Sequence, residues 1–379
     1  MTHPRDGIGR RWNVVFALLS AIGAISRLLS CLIPATRLNP ADRVVLFNTA
    51  ARLTDDSRIW RLPIHGWVHQ PEREDPLRRA VLATLVWFLK LERDGLHAQT
   101  LSLRLGYFLV DNKRKRRITI SAINQLFEVG PSDLQGHFHA EIELDSTTVN
   151  ASTNGASIQI AVQSPSHPSG AFLGQVILVP PTGLSIISDV DDTVKDSNVL
   201  DKKALIRNTF LEPYRAVQGM ADIYRSLATA GAAFHFVSCS PWHLYPVILA
   251  FLAESGFPLA TLSMKRLRLK DSSLYEFFST PDAFKIPRIT AILKAFPQRR
   301  FVLIGDSGER DPEIYGCVAR EYPGQIFRIL IRNVSDEDPN SPRLMKAFQG
   351  IPFEHWQLFS SASKLREFLT FAEDAINHL

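Results

Sequence analysis

A chain of 379 residues is long for one hydrophobic core, so two domains are expected. Its 45% hydrophobic and 21% charged content describes an ordinary globular protein and excludes a disordered one. Cys31, Cys239 and Cys317 supply neither a paired framework nor close ligand spacing, which argues against a disulfide scaffold or a structural zinc site. The net charge of +5 is uneven: residues 1–120 hold 20 Lys+Arg against 10 Asp+Glu, and the remainder 23 against 28. A basic front half suits an anionic surface such as a membrane, or forms a solvated face.

In chain order, Val14–Ser26 is apolar, follows Arg10 and Arg11, and is interrupted by Arg27 before Leu28–Pro34. Such a run is too short to span a bilayer. A membrane-surface or anchoring helix, a packed helix and a cleaved signal remain open for it. Residues 45–180 alternate apolar and polar, and strands are expected at Trp60–His69, Ser102–Val110, Arg117–Ile123, Gly136–Leu144, Ser157–Val162 and Phe172–Val179. Short strands at that density predict a mostly antiparallel β-sandwich-like domain. Pro76–Leu91 reads as a helix, Lys113–Arg117 as a hairpin turn, and the Ser/Thr/Asn-rich residues 145–170 as a long loop.

At Pro180-Pro181 the pattern changes. Apolar strands at Leu184–Ser188, Ala233–Ser238, Phe301–Gly305 and Gln325–Ile331 alternate with helices at Gly219–Ala230, Leu244–Ser255, Pro287–Phe296, Pro312–Glu321 and Ser361–Ile376. That alternation predicts an α/β fold with a parallel sheet covered on both faces. Three segments result: an apolar-basic N-terminal segment over 1–35, the β-sandwich-like domain over 36–180, and the α/β domain over 181–379.

The chemistry lies where these strands end, the place where ligands bind in such sheets. Asp189-Val190-Asp191-Asp192-Thr193 follows the first, and carboxylates so crowded repel unless a cation sits among them. Positions i and i+2 at a strand end face one way, so Asp189 and Asp191 are expected to share a ligand, and hard oxygens suit Mg²⁺. Asp-Asp-Thr by itself is also an ordinary helix cap. Ser238, or Ser240 in its place, follows the second strand with a hydroxyl for a phosphate oxygen. Gly305-Asp306-Ser307-Gly308-Glu309-Arg310-Asp311 forms a second acidic loop, and Lys285 lies just before the helix leading to it. Asp192 and Thr193 read as loop-shaping, with Thr193 bonding the motif's own backbone.

This order of motifs resembles that of haloacid dehalogenase-like phosphatases. Ile187–Val194, Gly219-Met220, Val237–Trp242, Tyr245-Pro246 and Gly305–Tyr315 resemble more closely the catalytic domain of the actin-patch phosphatidate phosphatases, strongly over about 181–335. Gly66-Trp67-Val68 and Gly174–Pro180 resemble that family's N-terminal part more loosely. The resemblance implies hydrolysis of phosphatidate to diacylglycerol with Mg²⁺. Asp189 would be the nucleophile, Asp191 the general acid and then base, Ser238 a phosphoryl ligand, and Lys285 the group joining nucleophile and phosphate. Asp306 would complete the Mg²⁺ site with Asp189 and the backbone carbonyl of Asp191, supported by Asp311.

Fold alone does not determine substrate. The apolar-basic N-terminus and the alternating Lys265–Lys270 stretch suit an anionic lipid surface, although a charge-guarded edge strand explains the latter too. A soluble phosphomonoester, or a non-catalytic lipid-binding module, are the rival functions. A cytoplasmic protein with peripheral or N-terminally anchored membrane contact is expected, with no nucleic-acid partner.

Overall fold

In a computed structural model of the protein, the described residues are 34–71, 95–153, 155–164, 167–265 and 281–366. The expected N-terminal apolar segment before residue 34, the helix Pro76–Leu91, the basic stretch beyond Lys265 and the far part of the helix Ser361–Ile376 lie outside them.

The first sheet is built from β1 (Thr36–Arg37), β2 (Arg43–Leu46), β3 (Thr49–Leu53) and β4 (Ile59–Gln70). After helix α1 (Gly95–Gly106) come β5 (Asp111–Asn112), β6 (Arg116–Ala122), β7 (Gln125–Pro131) and β8 (His137–Asp145). Helix α2 (Ser146–Ser152), β9 (Ser157–Ser164) and β10 (His167–Val179) complete it. The strand order is β1-β6-β9-β10-β3-β4-β2, with β7 on β6 and both β5 and β8 on β4. Pairing is antiparallel except for β1–β6 and β10–β3. Alternate residues such as Leu62, Ile64, Ile118, Ile120, Ile160 and Val176 point to one shared apolar core. Gly66 lies opposite Phe138 in the ladder, and a Cβ there would meet the ring at 2.2 Å, so only glycine fits.

Three local expectations in this region are corrected. Ser102–Val110 is not a strand; its first residues belong to α1. The leucines at 101, 103 and 105 suggest period two, but Leu101 and Leu105 are buried with Arg104 while Leu103 is 61% exposed. That is a helical face, held because buried Arg104 donates to the Thr209 carbonyl at 2.9 Å and stacks 3.9 Å over the Tyr214 ring. Residues 145–170 are not a long loop. Asp145 caps α2 by accepting the Thr147 N–H, and β9 follows; polar residues that favour loops also start helices. Lys113–Arg117 closes no hairpin, because β5 pairs with β4 rather than with β6.

The second sheet comprises β11 (Leu184–Ser188), helices α3 (Lys202–Phe210) and α4 (Met220–Thr229), β12 (Ala233–Pro241), α5 (Tyr245–Glu254) and β13 (Thr261–Lys265). It continues through α6 (Pro281–Ala295), β14 (Arg300–Asp306), α7 (Asp311–Glu321), β15 (Ile326–Arg332), α8 (Pro342–Ala347) and β16 (Trp356–Phe359). Every pair is parallel, in the order β13-β12-β11-β14-β15-β16. Ile186, Phe234, Phe236 and Val302 face α4 and α5, where Ile223, Leu227 and Ile248 cover them. Ile187, Val237, Leu303 and Ile329 face α6 and α7 through Ile289, Leu293, Ile314 and Val318. The α/β reading therefore holds, and the four expected strands appear within a few residues of their expected ends. Pro287 looks like a helix start, but Pro281 occupies that place, so Lys285 lies inside α6 rather than before it.

The segment joining β10 to β11 is held by Arg299, which is 1% exposed. Its guanidinium donates to Ser185 Oγ at 2.7 Å, to the Pro180 carbonyl at 2.8 Å, and to the Thr182 and Leu184 carbonyls. Arg299→Met would strand these acceptors. We expect it to cost about 3 kcal/mol or more in a urea titration, since each buried group left unpaired costs about 1–3 kcal/mol. An unchanged midpoint would refute that role. Trp67 also meets Trp242 edge-on at 4.4 Å, and the Asn48 N–H donates to Tyr245 Oη at 2.6 Å. Among the described residues no helix is long and apolar enough to cross a membrane.

Candidate active site

The second sheet grows outward from β11 to β13, then resumes on the other side at β14. The two crossover directions part between β11 and β14, which opens a crevice at their carboxyl ends. Asp189 follows β11 there, and its N–H donates to the Ile304 carbonyl of β14 at 2.9 Å. The chain then turns through Asp192, at φ +51°. The Asp192 carboxylate accepts the N–H groups of Ser197, Asn198 and Val199 at 2.8, 2.9 and 2.5 Å, so its loop-shaping role is evident. Thr193 is buried, but its hydroxyl has no partner. The bond expected from it to the backbone is absent because main-chain bonds from Val194 and Lys195 to the Val190 carbonyl already close the turn.

Lys285 reaches the crevice from α6. Its ammonium lies 2.8 Å from Asp189 Oδ1, 2.5 Å from Asp311 Oδ1 and 3.3 Å from Glu309 Oε2. Asp306 ends β14, and its Oδ1 accepts the N–H groups of Gly308 at 2.7 Å and Glu309 at 3.0 Å. Its own N–H donates to Asp311 Oδ2 at 3.3 Å. One oxygen each of Asp189, Glu309 and Asp311 lie within 4.8 Å of one another. Three carboxylates thus share one ammonium, and Asp306 adds a fourth negative group to the same neighbourhood. Burial, with Asp311, Glu309 and Asp306 adding to it against the pull of Lys285, raises Asp189 well above the usual carboxylate range. Burial and the neighbouring Asp311 and Glu309 do the same to Asp306. Burial would lower Lys285, but Asp189, Asp311 and Glu309 more than reverse that. Asp189 Oδ2 and Asp306 Oδ2 are buried without a donor. Excess negative charge and orphaned hard oxygens are what a divalent cation such as Mg²⁺ fits.

Asp191 stands apart from this cluster. Strand alternation stops at Ser188, so Asp189 and Asp191 address different lysines. Asp191 Oδ1 lies 2.6 Å from Lys195 Nζ and accepts from Ser197 Oγ at 2.6 Å. Its Oδ2 accepts from Ser240 Oγ at 2.9 Å and Ser238 Oγ at 3.4 Å. Burial alone would raise its pKa, but Lys195 and the Ser197 and Ser240 hydroxyls outweigh that and hold it at about 2. Ser238 is buried on Asp191, with Ser240 making the shorter bond. Lys195, Ser197 and Glu309 were not singled out by sequence reasoning. Lys195 and Ser197 follow the first motif closely enough to fold back on it, and Glu309 stands inside the second acidic loop.

Comparison with known proteins bears on this site. Residues 184–333 match the family described as phosphatidate phosphatase APP1, catalytic domain. An uncharacterised protein of Schizosaccharomyces pombe is 31% identical over 218 residues, covering 55% of this chain and 35% of that protein. Phosphatidate phosphatase APP1 of Saccharomyces cerevisiae is 33% identical over 169 residues, covering 43% and 28% respectively. The chain spans about a third of the length of these relatives. A HAD-like phosphatase from Mesorhizobium loti superposes over 52% of this chain and 88% of that one at 12% identity, with a TM-score of 0.34. D,D-heptose 1,7-bisphosphate phosphatase from B. bronchiseptica, complexed with magnesium and phosphate, does so over 49% and 98% at 14% identity, with a TM-score of 0.30.

Proposed function

We propose that this chain, whose residues 184–333 match the catalytic domain of phosphatidate phosphatase APP1, is a Mg²⁺-dependent phosphatidate phosphatase that forms diacylglycerol and phosphate. The observation that carries this reading is the crowding of three carboxylates on Lys285, with Asp189 Oδ2 and Asp306 Oδ2 buried without a donor. Asp189, Asp306 and the Asp191 carbonyl would hold the ion, with Glu309 and Asp311 beside them. Bound there, Mg²⁺ would offset the charge that gathers on phosphoryl oxygens.

Asp189 attacks phosphorus and forms an aspartyl-phosphate as the P–O bond to glycerol breaks. Asp191 passes a proton to the departing alkoxide, then takes one from the water that cleaves the aspartyl-phosphate. Phosphate leaves, Asp191 gives up the water's proton to solvent, and both carboxylates are restored. Asp191 rests ionised beside Lys195, so the first proton must arrive with the substrate, on a monoanionic phosphate. Turnover per encounter is accordingly expected to fall above the second pKa of the phosphate, about 6 for a phosphomonoester. Lys285 holds Asp189 oriented and meets the incoming phosphate.

The division into a 36–180 β-sandwich-like domain and a 181–379 catalytic domain belongs to this reading. The separate apolar core of the first sheet and the helix-covered second sheet support it. Between Asp192 and β12 the chain forms a loop and two helices rather than a large cap, which suits a bulky lipid at an anionic membrane surface. The test is phosphate release from short-chain phosphatidate with Mg²⁺ and with EDTA. We expect release only with Mg²⁺. Much faster turnover of p-nitrophenyl phosphate or sugar phosphates would replace the lipid with a soluble phosphomonoester.

A further inference from the structure

We propose that Arg343, which lies outside the matched residues 184–333, is a positioning residue that aims Asp306 at the candidate cation site and thereby sets its Mg²⁺ affinity. Arg343 projects from α8, and all three of its guanidinium nitrogens are engaged. Nε and Nη2 grip Glu313 of α7 at 2.8 and 3.1 Å, and Nη1 meets Glu337 at 3.0 Å. The inner faces of Nη1 and Nη2 donate to the carbonyls of Ser307 at 2.7 Å and Glu309 at 2.5 Å. The five N–H donors of a planar fork can hold two carbonyls and two carboxylates at once, which the three donors of a lysine ammonium cannot.

The Ser307 carbonyl and the Gly308 N–H belong to one peptide unit. Arg343 holds its oxygen, while its N–H donates to Asp306 Oδ1 at 2.7 Å. A cation on the carbonyl end polarises the peptide and strengthens the donor at the other end. Oδ1 is thereby occupied, and Oδ2 stays buried without a donor. The outer side of the loop is fastened as well. Ser307 Oγ accepts the N–H groups of Val334 and Ser335 at 3.0 and 3.1 Å. The acidic loop is therefore shaped by residues 334–343, well beyond its own strand and helix. Partners that orient metal-binding groups in this way are typically worth about 10- to 100-fold in metal affinity.

The metal half of this proposal rests on the Mg²⁺ reading above, so the experiment has two arms on the full chain. Arg343→Met and Arg343→Lys are compared with the parent by amide exchange over residues 305–311 in EDTA, and by calorimetric titration with Mg²⁺ and Mn²⁺. We expect Arg343→Met to stay folded, to exchange the Gly308 and Glu309 amides about tenfold faster or more, and to bind metal about 10- to 100-fold more weakly. Arg343→Lys should fall between, and saturating Mg²⁺ should restore turnover, so the Mg²⁺ requirement moves rather than kcat. A residue that only stabilises α8 would lower the melting temperature without moving metal affinity, and that result overturns the proposal. Unchanged amide exchange overturns it too. If the parent binds neither ion yet exchange rises in the variants, the Mg²⁺ reading falls and the positioning of Asp306 stands. Should Arg343→Met fail to fold, Arg343→Lys carries both arms.

Discussion

Asp189→Asn is expected to reduce phosphate release about 10⁴-fold or more while the metal-free protein melts no lower than the parent. An amide has the same shape as the carboxylate but no charge with which to attack phosphorus. Removing a nucleophile leaves only what binding and electrostatics supply, so the loss is large. The stability half follows from the charge imbalance. Asp189 is raised well above its ordinary range chiefly by burial, so its ionised form costs the folded state free energy in the absence of a cation. Neutralising it relieves repulsion from Asp311, Glu309 and Asp306, while Lys285 keeps Asp311 at 2.5 Å and Glu309 at 3.3 Å. Activity assays and thermal melts in EDTA read the two halves separately. Near-normal turnover would remove Asp189 from the chemistry, and a variant that fails to fold would make it structural.

The second large effect concerns acid. Lowering the pH from 7 to about 4.5 should destabilise the fold by several kcal/mol through three buried histidines. Burial first, then Arg43, lowers His69 from 6.5 to about 4. Burial first, then Arg299, lowers His235 to about 3, and burial first, then His69, lowers His243 to about 3. A histidine whose folded pKa is depressed is neutral in the fold but protonated in the unfolded chain. Its contribution is whole above about 6.5 and declines as pH falls from there toward the folded value, by about 1.4 kcal/mol per pH unit. Three in parallel over two units reach roughly 8 kcal/mol, comparable with the whole stability of many domains. In metal-free protein the raised carboxylates of Asp189, Asp306 and Glu309 oppose this trend, so a single histidine is the cleaner probe. His243 stacks on Trp242 at 3.8 Å and on Phe108 at 4.6 Å, beside the junction of the two sheets. His243→Phe keeps the stack and removes the proton site. Between pH 6 and 4.5 its urea midpoint should fall less steeply than the parent's, by the worth of one proton. Parallel curves would show that His243 contributes nothing to acid sensitivity.

Much of the second sheet is legible along the chain. Its strands are continuously apolar because both faces are covered, and the acidic loops stand at strand ends. Local pattern was a poorer guide where two periods competed. Leu101, Leu103 and Leu105 satisfy strand alternation, yet Arg104 decides for helix by docking on Thr209 and Tyr214 about a hundred residues away. The polar stretch after Asp145 contains both loop formers and helix caps, and composition does not choose between them.

The candidate site divides along the same line. Sequence alone determined which residue types stand after which strands: Asp189 and Asp191 after one, Ser238 after a second, Asp306 and Asp311 after a third, with Lys285 between. Those are local properties, because strand ends and turns are set by neighbours in the chain. Only the tertiary structure decided which charges meet. It joined Asp189, Glu309 and Asp311 on Lys285, gave Asp191 to Lys195, and brought Arg343 to the outer side of the acidic loop. The reason is physical. Charge pairing acts over a few ångströms in space, and the separations that create those distances arise only when β14 returns beside β11 and the helices pack against the sheet.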